Sequence, residues 1–367
     1  MELTFGTLCG GGLLIVGLFL LYAIMTGSRS LRNYVITRLL LVLPMIWILV
    51  TLVFVMMRVL PGDPISTRLK PGTDQATLDR LRERAGLDRP IYEQYWDYLN
   101  DIAHGDLGVS NNVEQDRPVT QIIGRRLPAT IELVMPAITL MLIFGIAAGA
   151  LSANKHKRTL DYSFRITSVV AYAVPIFWLG LMLQIVFARQ LEFLPVAQRI
   201  NPRFANDFTH RTNIYLIDTL LSGNGQAFGD VLKHLVLPTI TLTIALIGVF
   251  IRLTRSNMIE VLQEDYVTAS RARGVPERKV VYFHALRNSF IPIMTLIGLQ
   301  VAVLLAGAVL TETTFSWDGL GKLLRDGIAL RDYPVVQGTV VVFAITVGVM
   351  STLTDILYAF IDPRIRF

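Results

Sequence analysis

The chain has 367 residues, 53% hydrophobic and only 17% charged, against about 25% charged in soluble domains; this balance excludes an ordinary soluble domain and points to a polytopic membrane protein. The net charge of +6 fits cytoplasmic loops that collect Lys and Arg, and no combination of basic and aromatic clusters marks a nucleic-acid surface. The single cysteine, Cys9, excludes an internal disulfide and a cysteine-based zinc site, and the five scattered histidines lack metal-ligand spacing.

A helix needs about 20 apolar residues to cross the hydrocarbon. Charge-free runs of that size occur at Leu3–Ser28, Leu39–Met57, Leu133–Asn154, Ile166–Ala188, Leu235–Ile251, Asn288–Thr311 and Tyr333–Thr354. The expected fold is therefore an all-α integral membrane protein, a helix bundle with seven predicted spans. The first run lacks a basic n-region and exceeds a usual h-region, so it is read as a retained helix rather than a cleaved signal. The fifth is short and gains length at its ends.

Orientation follows from the short loops. Arg29, Arg32 and Arg38 separate the first two spans, and Lys155, Lys157, Arg158 and Arg165 lie between the third and fourth. Arg252, Arg255, Arg271, Arg273, Arg278, Lys279 and Arg287 lie between the fifth and sixth, and Arg364 and Arg366 follow the last. All these loops fall on one side, which the positive-inside rule makes cytoplasmic. The N-terminus is then outside and the C-terminus inside.

Residues 59–132 form the long outer segment, predicted as a small helical extracytoplasmic cap. Thr73 or Asp74 caps a helix ending before Gly86. Pro90 suits the first turn of a second helix, whose apolar face is Ile91, Tyr95, Trp96, Leu99 and Ile102 and which ends at Gly105.

Between the fifth and sixth spans runs "EDYVTASRARGVPERKVVYFHALRNSFIP". Glu264 and Asp265 favour the first turn of a short helix, and Arg271 and Arg273 its last turn. Gly274 suits a left-handed C′ position, and Pro276 opens a second helix that leads into the next span. The spacing predicts a helix–Gly–helix elbow at the cytoplasmic surface. The residues alone leave two readings open: an interfacial amphipathic anchor, or a docking knob. The small Ala269, Ser270 and Ala272 favour the knob, since an anchor wants Leu, Phe or Trp there.

"YVTASRARG" followed by "HALRNSFIP" resembles the EAA loop of ABC-importer permeases of the dipeptide/oligopeptide/nickel class. So do "LPGDP" at Leu60–Pro64, "GDLGVS" at Gly105–Ser110, "RLPATIEL" at Arg126–Leu133, "PIFWLGL" at Pro175–Leu181 and "HLVLPTITL" at His234–Leu242. "ETTFSWDGLGKLL" at Glu312–Leu324, "RDYPVVQG" at Arg331–Gly338 and the terminal "DPRIRF" complete the series. The chain is similar, from about Asn33 to Phe367, to the B-type member of a permease pair. The resemblance divides it into an extra N-terminal helix and linker (1–32) and a six-span permease domain (33–367), with a coupling loop at 255–290.

The resemblance implies that the loop inserts into a cytoplasmic ATPase subunit. The contact residues are then Glu264, Asp265, Tyr266, Thr268, Ala269, Ser270, Arg271, Ala272, Arg273 and Gly274. Thr268 stands where the general consensus has Glu. It also implies a second, C-type permease, two ATP-binding subunits and an external solute-binding protein in a bacterial or archaeal plasma membrane. ATP and Mg belong to the ATPase subunits, with no cofactor on this chain. The implied solute is a di- or oligopeptide, with nickel complexes and oligosaccharides as alternatives.

"DGLGKLL" fails as a phosphate-binding loop, since Ser316 takes the first Gly position and Leu323 follows Lys322. An ion-coupled secondary transporter would keep ionisable residues at mid-membrane, but the seven runs are charge-free. A membrane-embedded hydrolase would need a metal motif or a nucleophile–base pair within the spans, and no H-E-x-x-H occurs.

Overall fold

The computed structural model describes residues 29–59, 80, 88–156 and 158–361. The predicted first span, and the helix expected from Thr73 or Asp74 to Gly86, lie outside them. Among the described residues the regular elements are helices, with one isolated bridge between Val109 and Pro118. The long helices are α1 (Arg29–Val59), α3 (Val119–Asn154), α7 (Gly225–Val261), α10 (Leu286–Thr314) and α12 (Tyr333–Ile361). Shorter ones are α2 (Ile91–Ala103), α4 (Thr159–Ala173), α5 (Ile176–Leu183), α6 (Tyr215–Leu221), α8 (Asp265–Ala272), α9 (Glu277–Lys279) and α11 (Leu320–Ala329).

Among the described residues, five helices are long and apolar enough to cross a membrane: Leu40–Val59, Val119–Asn154, Gly225–Val261, Pro292–Thr314 and Tyr333–Thr354. The fourth predicted span, Ile166–Ala188, differs. It is divided into α4 and α5, which meet at 102°. Pro175 supplies no N–H and pushes the residue before it out of the helical region; Val174 accordingly has φ −78°, ψ 125°. Counting that pair as one span gives six among the described residues.

α3 and α7 form the most extensive helix pair, and their approach depends on small residues four apart. A Cβ on Gly145 would lie 2.7 Å from the Cβ of Phe250, and one on Gly149 2.6 Å from that of Thr254. Leu133, Met141, Leu242, Phe250, Ile293, Leu304 and Trp317 fill the central core. α12 packs along α1.

Four of the strings that carry the family resemblance, "GDLGVS", "RLPATIEL", "ETTFSWDGLGKLL" and "RDYPVVQG", come together at the end of the bundle predicted to be outside. Glu312 accepts from the Thr130 hydroxyl at 2.7 Å and from the Lys322 amide at 3.0 Å. Trp317 Nε1 donates to the Ala129 carbonyl at 2.8 Å, and Arg126 pairs with Asp318. The Lys322 amide at the start of α11, within "DGLGKLL", is therefore occupied by an internal carboxylate. Asp332 is fully buried. One of its oxygens accepts from Ser110 Oγ at 2.6 Å and from the amides of Asn112 and Val113 at 2.8 and 3.0 Å, which ties "GDLGVS" to "RDYPVVQG". A second buried pair, Glu132–Arg199 at 2.5 Å, ties α3 to the loop before α6.

Within the outer segment, α2 starts after Pro90 and stops before Gly105 (φ +78°), as the sequence predicts. Tyr95 Oη and Thr51 Oγ1 lie 2.6 Å apart, and Phe54 sits between Tyr95 and Tyr98. The predicted apolar face is only partly covered, since Ile91 and Trp96 stay exposed.

Candidate functional site

The elbow follows from local chemistry. Glu264 is the N-cap of α8, with extended backbone, and Asp265 lies in its first turn. At the other end Gly274 has φ +76°. Its amide donates to the Arg271 carbonyl at 2.9 Å, and the Val275 amide reaches the Ser270 carbonyl at 3.2 Å. This 5→2 and 6→1 pair is a Schellman motif with Gly at C′. Pro276, with φ −53°, then starts the turn Glu277–Lys279.

Arg271 bridges the two arms. Its Nε and Nη2 donate to the two carboxylate oxygens of Glu277 at 3.1 and 2.8 Å. This bidentate bond holds the Glu277 carboxyl below the usual carboxylate range and raises the Arg271 guanidinium. Asn288 Nδ2 donates to Tyr266 Oη at 2.7 Å, which fixes α8 against the start of α10. The second arm continues from α9 through a π-helical stretch, Val280–Ala285, into α10. No periodicity in the sequence signals that stretch.

The candidate residues divide into two sets. Glu264, Asp265, Tyr266, Thr268, Ala269, Arg271, Ala272, Arg273 and Gly274 are exposed. Ser270 is buried with Val267, and its hydroxyl donates to the Tyr266 carbonyl at 2.8 Å. Ser270 thus serves the inner face rather than the outer surface. Val281 and Ala285 pack on Ala150, Ala153 and Met258, at the ends of α3 and α7. Beside them Asp161 is buried and accepts from Ser152 Oγ at 2.7 Å and from Arg255 at 2.5 and 2.9 Å. The result is an exposed helix with a small-residue centre, carried on the Val280–Ala285 stretch, which packs on the ends of α3 and α7. Sequence reasoning missed Glu277, Asn288 and Asp161 as its supports. The (i, i+6) spacing of Arg271 and Glu277 across a Gly-Val-Pro turn was the available signal for the first.

Residues 143–367 match the family described as "Binding-protein-dependent transport system inner membrane component", and residues 31–134 match its N-terminal family. The chain belongs to this family of transport-system membrane components. It is 42% identical over 339 residues to a di/tripeptide transport system permease protein of Pseudomonas aeruginosa, covering 91% of this chain and 98% of that one. A dipeptide transport system permease protein of Alkalihalophilus pseudofirmus is 39% identical over 91% of this chain and 99% of its own length. An oligopeptide transport system permease protein of Bacillus subtilis is 36% identical over the same shares. The elbow and all the paired motifs lie within the matched family regions.

Proposed function

We infer that this chain is the permease subunit of an ABC importer for short peptides. It forms half of the translocation pathway beside a second, C-type permease. The observation that carries the reading is the end-to-end similarity to permeases named for di/tripeptide, dipeptide and oligopeptide transport. Nickel complexes and oligosaccharides are not favoured by those relatives.

The α8 elbow is the part of this chain that meets an ATPase subunit. Its exposed, small-residue surface lets a partner approach the backbone closely at Ala269 and Ala272, and its seat on α3 and α7 carries force into the bundle. Energy comes from two ATP-binding subunits that hold ATP and Mg, and an external binding protein delivers the solute. The chain crosses the plasma membrane seven times with its N-terminus outside. In support of that orientation, the Asp161–Arg255 pair brings the basic connection between α3 and α4 and the basic end of α7 to one end.

Purification in mild detergent, followed by mass spectrometry and peptide uptake in proteoliposomes, tests the reading. The expected result is co-recovery of a second permease and two ATPase chains, with uptake that requires ATP. Uptake by this chain alone, with no ATPase present, would overturn it.

A further inference from the structure

The break between α4 and α5 leaves backbone groups that an unbroken span would pair. Val174 donates to the Val170 carbonyl and Leu179 to the Pro175 carbonyl. Among the described residues, no backbone bond joins the carbonyls of Tyr172, Ala173 and Val174 to the amides of Ile176, Phe177 and Trp178 across the elbow, and Pro175 has no N–H to offer the Ala171 carbonyl.

The elbow lies within the apolar slab. On one side, Ser168 of α4 touches Gly248, where a Cβ would lie 3.3 Å from the Ser168 Cα. Gly248 is four residues from Arg252, about 6 Å along the helix. On the other side, Ile176 Cδ1 lies 3.3 Å from a Cβ on Gly307. Gly307 is seven residues from the end of α10, about 10 Å. The turn between these levels is well inside the hydrocarbon thickness of about 30 Å.

One face of α4 is committed. Asp161, Ser168 and Ala171 are buried, and α4 packs on α7. The other face carries Val170, Tyr172 and Ala173, all exposed, and continues into exposed Phe177 and Trp178. Here the elbow opens as a shallow, largely apolar groove of about 410 Å³ lined by Val170, Ala173, Val174, Pro175, Phe177 and Trp178. Broken backbone at membrane depth does not persist against lipid; it occurs where protein covers it or where it lines a water-filled cavity.

We propose that the Val170–Trp178 elbow lines the solute pathway, where water and the amide backbone of a passing peptide meet the carbonyls and amides that the break leaves without backbone partners. A peptide carries donors and acceptors of the same kind along its length. Aromatic walls at Phe177 and Trp178 accept varied side chains without selecting one. This inference rests on the permease reading and adds the residues that face the solute.

The test uses the assembled complex in proteoliposomes, with Cys9→Ser as background. Ala173→Cys and Phe177→Cys are treated with a charged, water-soluble methanethiosulfonate, with Thr209→Cys on an exposed loop as the reagent control. Both elbow positions are expected to react, at rates that change several-fold between resting and peptide-plus-ATP conditions. Modification is expected to cut dipeptide uptake by about tenfold, as a charged group left in a narrow path would. If both stay unreactive in either condition while Thr209→Cys reacts and uptake is intact, lipid or the second permease covers the elbow and the inference fails. Modification that leaves uptake unchanged also overturns it. If the unmodified background complex takes up no dipeptide, the permease reading fails instead.

Discussion

Gly274 carries the geometry of the α8 elbow, because its φ of +76° closes the Schellman turn. A Cβ placed there meets nothing within 4 Å, so a substitution is opposed by backbone conformation and not by packing. For a β-branched residue the strain is about 1–3 kcal/mol. That is small against the burial of the spans and comparable to a coupling free energy. Gly274→Val should reach the membrane at normal levels, with weakened ATPase co-purification and poor uptake. Gly274→Asn, which tolerates the left-handed region, should lie closer to wild type. Full ATPase binding and uptake in Gly274→Val would show the elbow to be a surface anchor. The neighbouring Arg271–Glu277 bond makes a smaller claim. Both side chains are about half exposed, so solvent screening limits the pair to about 1 kcal/mol or less. The Glu277 carboxyl is held below its unfolded value. Its contribution is therefore present above the unfolded pKa and is lost as pH falls through the folded one. Melting curves of Glu277→Gln and wild type should differ by at most a degree or two near neutral pH and converge as the pH falls below the usual carboxylate range. A difference that grows in acid would contradict this sign.

Among the elements, the junction of the 105–110 turn with the start of α12 is the most dependent on a single side chain. One Asp332 oxygen serves a hydroxyl and two amides. Asp332→Ala would leave those donors without an acceptor in a buried place, each costing about 1–3 kcal/mol. A marked fall in detergent melting temperature is expected, and a smaller one for Asp332→Asn, which keeps one acceptor. Equal melting of Ala and Asn variants would mean that water replaces the carboxylate. α8 offers the opposite contrast. Its outer surface makes few contacts in this chain, so Ala269→Arg should leave the melting temperature unchanged while reducing ATPase co-purification. A loss of stability instead would place Ala269 in internal packing.

At the scale of the whole molecule, Asp161 in the first turn of α4 bonds Arg255 near the end of α7, so the connection from α3 to α4 and the basic end of α7 share one end of the bundle. With that end cytoplasmic, Lys155→Cys should resist an impermeant thiol reagent in intact cells and react in inverted vesicles. A cysteine at Thr4 should do the reverse, with Cys9 replaced by Ser. Labelling of both from the same side would refute the seven-span orientation. The bundle itself rests on close helix approach. The small residues at Gly145 and Gly149 admit Phe250 and Thr254, so larger residues there would part α3 from α7 along their main contact.

The sequence by itself determined what depends on neighbours a few positions away. Runs of apolar residues placed the described long helices, Pro90 and Gly105 bounded α2, and the Gly274–Pro276 pair set the elbow. These are local effects of hydrophobic length, of a missing N–H and of a left-handed turn. The resemblance was equally legible, because its strings stand in order along the chain. Tertiary structure decided which strings meet. Ser110 and Asp332 are 222 residues apart, and Thr130 and Glu312 are 182 apart. No periodicity in either segment specifies such a partner, since the choice depends on how α3, α10 and α12 pack. The same holds for Ser270, which stands among the outward-facing candidates in sequence but turns inward with Val267. Pro175 allowed a kink, but the 102° turn also required α5 to find α10. Local chemistry gives a proline freedom to bend a helix, and packing against Gly307 and Phe315 sets how far it bends.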